Sequence, residues 1–225
     1  MEKEQVLKAI EAIKKNSSKR KFKQSVDLII NLKDLDLKKP DNVVNTYITL
    51  HYQKGRNSKI CALVGPELLE QARQVCDGTI SADEFDKYKE KKEAKKLAAQ
   101  YDYFIAQATI MPKIATVFGR VFGPRGKMPN PKAGCVVPPN ANLKPLFEKL
   151  QKTIHVQTKN DPILQSVVGR EEMDDEHIAD NVLTIYNGLI HVLPSNENNI
   201  KSIFIKYTMG KPVRVDESAK RTEEQ

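Results

Sequence analysis

Apolar positions first recur at helical spacing, with Val6, Ala9, Ile10 and Ile13 marking one face of a helix predicted over residues 2–15. Residues 25–32 (SVDLIINL) read as a strand rich in β-branched side chains. A polar turn at 38–42 leads to a second predicted strand, residues 43–51. The polar run QKGRNSK, residues 53–59, predicts a domain boundary. Beyond it, short apolar strands alternate with helices. KICALV (59–64) is a strand, Gly65-Pro66 opens a helix through Ala72 and Val75, and Thr79-Ile80 is a short strand. Ser81 caps a further helix, residues 87–99 form a charged helix, and residues 101–106 (YDYFIA) a strand. Such alternation predicts a small, largely parallel sheet covered by helices.

Residues 111–134 (MPKIATVFGRVFGPRGKMPNPKAG) follow, a short amphipathic helix through Ile114, Val117 and Phe118 that is predicted to break into loop at Gly119. Residues 142–152 then pattern as a helix on Leu143, Leu146, Phe147 and Leu150. Residues 153–158 and 163–169 read as strands joined by a turn at Lys159-Asn160-Asp161-Pro162, and residues 174–190 as an amphipathic helix with an acidic first turn. Residues 200–207 (IKSIFIKY) alternate cleanly as a strand running into TMGKPVRV, and ESAKRTEEQ is expected to fray.

Charge adds a partner class. The 225 residues carry a formal charge of +8, which favours a nucleic acid or another anionic surface. The excess lies early: residues 1–58 hold 13 basic and 7 acidic groups, whereas residues 156–225 hold 8 and 12. The connector NSSKRKFKQ places Lys19, Arg20, Lys21 and Lys23 around a single aromatic, Phe22. With no Trp and 6% aromatic residues, extensive base stacking is disfavoured. Cys61, Cys76 and Cys135 form no CxxC pair, and the four histidines are scattered, so no metal site is predicted. The start lacks an apolar signal region and no run of about 18 apolar residues occurs, so neither a signal peptide nor a membrane span is expected.

Between residues 111 and 134 stand Lys113, Arg120, Arg125, Lys127 and Lys132 with no acidic residue, which suggests a polyanion contact. A Walker loop needs GxxxxGK[ST]; here six residues, not four, separate Gly119 from Gly126, and Met128 follows Lys127. GxGxxG is absent too. An enzyme acting on a phosphorylated ligand would need a catalytic constellation, and none is seen: Asp174-Asp175-Glu176 reads as a helix N-terminus. A DNA-binding protein is disfavoured by the lack of a basic recognition helix.

The segments FGPRGKMPNPKAG (residues 122–134) and KYTMGK (206–211) resemble the ribosomal protein L-one family, proteins of the mobile side stalk of the large subunit. The resemblance extends from the first helix to Val215, and the ending YTMGKPVRV looks archaeal rather than bacterial. It implies an α/β chain of two domains. A discontinuous α+β first domain of split β-α-β type would comprise residues 1–57 plus 155–225, with a Rossmann-like three-layer α/β second domain, 58–154, inserted into it. The early strand would then pair with the late ones and bring KRKFKQS beside TMG. The resemblance further implies binding of large-subunit rRNA by the first domain, binding and repression of the protein's own mRNA, and assistance to tRNA release at the exit site. The protein would be non-enzymatic, cytoplasmic on the ribosome, monomeric when free, and without cofactor or membrane partner. Carried over by position, the RNA-binding residues would be Lys21, Phe22, Ser25, Gly169, Ser202, Thr208, Met209, Gly210 and Lys211. Ser25 stands where the family often has Thr. Arg120, Arg125 and Lys127 form a secondary basic loop that either contacts RNA or fixes its own conformation.

Overall fold

A computed structural model describes residues 1–18, 20–39 and 42–215, so the predicted turn at 38–42 is seen only in part and the tail ESAKRTEEQ lies outside the described residues. The chain divides into two compact units, Met1–Arg56 with Lys152–Gln225, and Asn57–Gln151. The fold is the predicted discontinuous α/β architecture.

In the first unit, α1 (Lys3–Asn16) buries Val6, Ala9, Ile10 and Ile13, the stripe seen in the sequence. The strands β1 (Ser25–Leu32), β8 (Ile163–Arg170), β9 (Ile200–Tyr207) and β10 (Val213–Arg214) form one sheet in the order β10-β9-β1-β8. β1 is antiparallel to both β8 and β9. Those two therefore run parallel to each other, joined by α6 (Asp175–Ile190), with β1 filling the slot between them. This is the split β-α-β arrangement. Val26, Leu28, Ile30 and Leu32 of β1 face a core shared with α1 and α6. The alternate residues, Ser25, Asp27, Ile29 and Asn31, lie on the opposite face.

The second predicted strand is shorter than expected. β2 (Asn45–Thr49) pairs antiparallel with β7 (Thr153–Gln157) as a separate two-stranded ribbon. β7 and β8 are thus not a hairpin, although only a short turn joins them; each finds its partner far away in sequence. Thr153 and Ile154, which open β7, belong to the first unit.

The second unit holds a parallel sheet of β3 (Ile60–Val64), β4 (Gly78–Ser81), β5 (Tyr103–Gln107) and β6 (Val136–Val137), in the order β4-β3-β5-β6. Every residue of β3 is buried, as a strand covered on both faces requires. The helices are α2 (Leu69–Val75), α3 (Lys91–Gln100), α4 (Met111–Phe122) and α5 (Leu143–Lys152). Gly65-Pro66 opens a 3-10 turn before α2, and the turn capped by Ser81 is likewise 3-10. The charged helix therefore starts at Lys91, not 87.

The break predicted at Gly119 does not occur. α4 continues to Phe122 because Val121 and Phe122 are both buried, and their packing offsets the roughly 1 kcal/mol cost of a mid-helix glycine. Arg120 is consequently an exposed helical residue and not part of the loop.

Candidate nucleic-acid interface

Antiparallel pairing places the start of β1 beside the ends of both its neighbours: Val26 lies opposite Gly169 and Tyr207. Immediately beyond β9 the chain turns, with the Gly210 amide donating to the Tyr207 carbonyl at 2.8 Å. The Thr208 amide donates to the Ser25 carbonyl at 3.0 Å, and the Thr208 hydroxyl donates to the same oxygen at 3.2 Å. The hydroxyl hydrogen is thus directed inward, shared between the Ser25 carbonyl and the Asp27 carboxylate, leaving its oxygen lone pairs to accept. Below it, burial raises the Asp27 carboxyl above its ordinary range, while the Thr208 hydroxyl and the Lys206 ammonium pull it back down.

Gln24 secures the turn, a residue to which the sequence alone assigned no role. It is buried, and its Oε1 accepts the Met209 amide at 3.3 Å. Its own amide donates to a Glu171 carboxylate oxygen at 3.3 Å, and the Glu171 amide returns a bond to the Gln24 carbonyl at 3.0 Å. A neutral glutamine amid lysines was the only available signal.

With the backbone so held, Met209 is 62% exposed and Phe22, two residues before Gln24, 54% exposed. Exposed large apolar side chains beside a basic segment mark a contact surface. Lys21 and Lys211 are exposed near them, whereas Lys23 is paired with Glu172 at 2.6 Å. Lys21, Phe22, Ser25, Thr208, Met209, Gly210 and Lys211 therefore gather at one end of the sheet. Gly210 has ordinary backbone torsion; a Cβ there would meet that of Tyr207 at 3.3 Å.

Two residues of the predicted set are buried and not on the exposed surface. Gly169 is buried, and an added Cβ would meet Ile178 Cγ1 at 3.0 Å and Met173 Sδ at 3.2 Å, so its small size serves the packing of α6. Ser202 lies opposite Asn31, six residues before Thr208 and so about 20 Å along the strand. It is 7% exposed, and its Oγ accepts from Asn31 Nδ2 at 2.9 Å.

In the second unit, Lys127 donates to the carbonyls of Ala98 at 2.8 Å and Tyr101 at 2.6 Å, the end of α3. A cation there satisfies helix carbonyls left without amide partners and complements the helix dipole. Arg125 donates to the Lys95 carbonyl at 3.1 Å. Of the two roles open to this loop, fixing its own conformation is the one seen for Lys127. Lys127→Met is expected to destabilise the second unit by about 1–3 kcal/mol, as urea unfolding would show.

At the carboxyl ends of β3 and β5, where the strand order reverses and such sheets usually take ligands, the Gly65 amide donates to Gln107 Oε1 at 2.8 Å. Gln107 Nε2 in turn donates to Glu67 at 2.9 Å. The amide that would cradle a phosphate is engaged, with a carboxylate close by. Burial pushes the Cys61 thiol up to about 12, so it is protonated and inert at neutral pH. Among the described residues no group of three or more His, Cys, Asp or Glu could hold a metal ion, and no helix is long and apolar enough to cross a membrane.

Comparison with known proteins accords with this architecture. The pattern of the Ribosomal protein L1p/L10e family matches residues 13–211. Proteins named large ribosomal subunit protein uL1 are similar along almost their whole length. That of Thermococcus kodakarensis is 39% identical, covering 96% of this chain and 98% of its own. The Pyrococcus abyssi protein is 40% identical, covering 95% and 96%, and that of Methanobrevibacter smithii 42%, covering 94% and 99%. On the extent and agreement of these matches, the chain belongs to the Ribosomal protein L1p/L10e family.

Proposed function

We propose that this protein is a structural constituent of the large ribosomal subunit and binds large-subunit rRNA through the turn end of its first unit. The observation that carries this reading is the pinned turn: Gln24 and Ser25 hold Thr208 and Met209 so that Met209 and Phe22 stand exposed beside Lys21 and Lys211. A surface held this rigidly suits recognition of a folded RNA by shape. Thr208 Oγ1 can accept from a 2′-hydroxyl, the apolar side chains can lie against sugars or bases, and the lysines can meet phosphates. Gln24 belongs to the scaffold of the site, as does Gly169; Ser202 lies outside it.

The relatives' shared name, a large-subunit protein, supplies the ribosomal setting. Within it the protein serves the mobile stalk, assists release of deacylated tRNA at the exit site, and binds its own mRNA as a repressor when unassembled. It acts as a monomer before assembly, works on cytoplasmic ribosomes, and performs no catalysis.

Met209→Ala and Thr208→Val are each expected to lose about 1–3 kcal/mol of affinity for a large-subunit rRNA stalk fragment, with little change in salt dependence. The test is a binding series from low to high salt. Wild-type affinity in both variants, with a loss in Arg125→Ala, would move the site to the second unit.

A further inference from the structure

We infer that the outer face of α3, joined by Arg125, is a second RNA-contact surface that grips phosphates without reading sequence. α3 reads KKEAKKLAAQ and turns Ala94, Leu97 and Ala98 into the core. Lys91, Lys92, Lys95 and Lys96 all remain exposed. Glu93 is the helix's one acidic residue, and it pairs with Lys96 at 2.8 Å. Of the acidic groups just before the helix, Glu84 pairs with Lys87 and Asp86 with Lys89, while the N-cap residue Glu90 stands exposed beside Lys91. Among the described residues Lys91, Lys92 and Lys95 have no ion pair.

Arg125 adds to this charge. Its bond to the Lys95 carbonyl fixes the loop against the middle of α3, bringing a guanidinium beside the lysine row. Four like charges so gathered repel one another, and a polyanion relieves that cost while counterions are released from its backbone. Lys91 and Lys95 are one helical turn apart, about 6 Å in rise, so both can lie along one strand of phosphates. Lysines act as point charges without base discrimination, so the surface would hold RNA by its backbone.

An anionic membrane is the other polyanion of this size. The outer face of α3 offers Ala99 and Gln100 besides its lysines and no large apolar side chain to insert, which favours RNA. The choice of RNA as ligand rests on the function proposed above, but the surface itself does not depend on the turn at Thr208.

The experiment is lysine acetylation of the full chain read by mass spectrometry, alone, with deproteinised large-subunit rRNA, and with phosphatidylserine vesicles. Lys91, Lys92 and Lys95 are expected to become several-fold less reactive with rRNA and to be unaffected by vesicles. Protection of Lys21 and Lys211 alone would overturn this inference and leave the turn as the sole site. Protection of the α3 lysines alone would support it and overturn the proposed function of the turn. Protection by vesicles but not by RNA would overturn it in favour of lipid. A second arm uses the variant K91Q/K92Q/K95Q/R125Q, whose changes are all at exposed positions. The slope of log affinity against log salt should flatten by about 3 units for four lost phosphate contacts; an unchanged slope would overturn the proposal.

Discussion

Replacing Asn181 by alanine is expected to cost the first unit about 3–5 kcal/mol, a large share of the stability of a domain this size. Asn181 projects from α6 and is 0% exposed. Its Nδ2 donates to the Val168 carbonyl at 2.9 Å and to the Tyr52 carbonyl at 3.2 Å, while its Oδ1 accepts the Tyr52 amide at 3.1 Å. One side chain thereby satisfies three backbone groups that would otherwise be left without partners. Each orphaned group costs about 1–3 kcal/mol, and the alanine cannot replace any of these bonds. Val168 also sits at the bulge where β8 slips against β1, the stretch in which ladder pairing is interrupted. Urea unfolding followed by circular dichroism measures the loss, and hydrogen exchange at Tyr52 localises it. A change below about 1 kcal/mol would mean that water takes the place of the amide.

The second unit uses the same device. Gln151 Nε2 donates to the Ser58 carbonyl at 2.8 Å and its Oε1 accepts the Ser58 amide at 2.7 Å, so a side chain completes both bonds of a ladder rung. The connecting stretch, residues 53–57, is therefore tethered at each end by a buried carboxamide, within the first unit at Tyr52 and within the second at Ser58. Neither residue attracts notice in the sequence. Asn181 and Gln151 lie in amphipathic helices where a polar side chain ordinarily faces water, and only the distant backbone they meet makes them structural.

The elements that were legible are those whose periodicity is local. β1 and β9 follow the period-2 alternation of SVDLIINL and IKSIFIKY, and α1 follows its apolar stripe. Their association was not legible from periodicity, since β1 enters a slot between strands more than 130 residues later; the family resemblance supplied it. The same distinction explains the ribbon of β2 and β7. A short turn between two strands suggests a hairpin, but β7 completes its ladder with a strand on the far side of the inserted unit.

At the candidate interface, the exposed apolar residues and hydroxyls were legible through the KYTMGK motif, and the groups that hold them were not. Gln24 works through its buried carboxamide, which composition cannot reveal. Gly169 shows the converse: a glycine at the correct sequence position whose missing side chain makes room for Ile178. Lys127 shows why a cation without nearby acids is a poor guide to a polyanion. Its partners are carbonyl oxygens 29 and 26 residues earlier, and backbone acceptors leave no trace in a count of charges.

Phe118→Ala is expected to destabilise the second unit by about 3–5 kcal/mol while leaving rRNA affinity through the first unit intact. Phe118 is 0% exposed on α4 and meets Phe85 edge-on, with ring centroids 5.4 Å apart. It also stacks on Phe122 at 5.0 Å, and Phe122 stacks on Phe104 of β5 at 4.3 Å. Removing the central ring both empties a large volume and breaks aromatic contacts on two sides. Leucine, which restores most of the volume, should lose less than half as much. Hydrogen exchange reads the location: amides of β3, β5 and α4 should lose protection while those of β1 and β9 keep theirs. Binding is then measured at a temperature where exchange still reports the second unit as folded, so the α3 face remains present. Under that condition Phe118→Ala should bind the stalk fragment like the wild type, because no residue of its aromatic core holds the Thr208 turn. A loss as large as that of Met209→Ala would mean that recognition depends on the packing of the second unit, and the division between a reading surface and a phosphate-gripping surface would have to be abandoned.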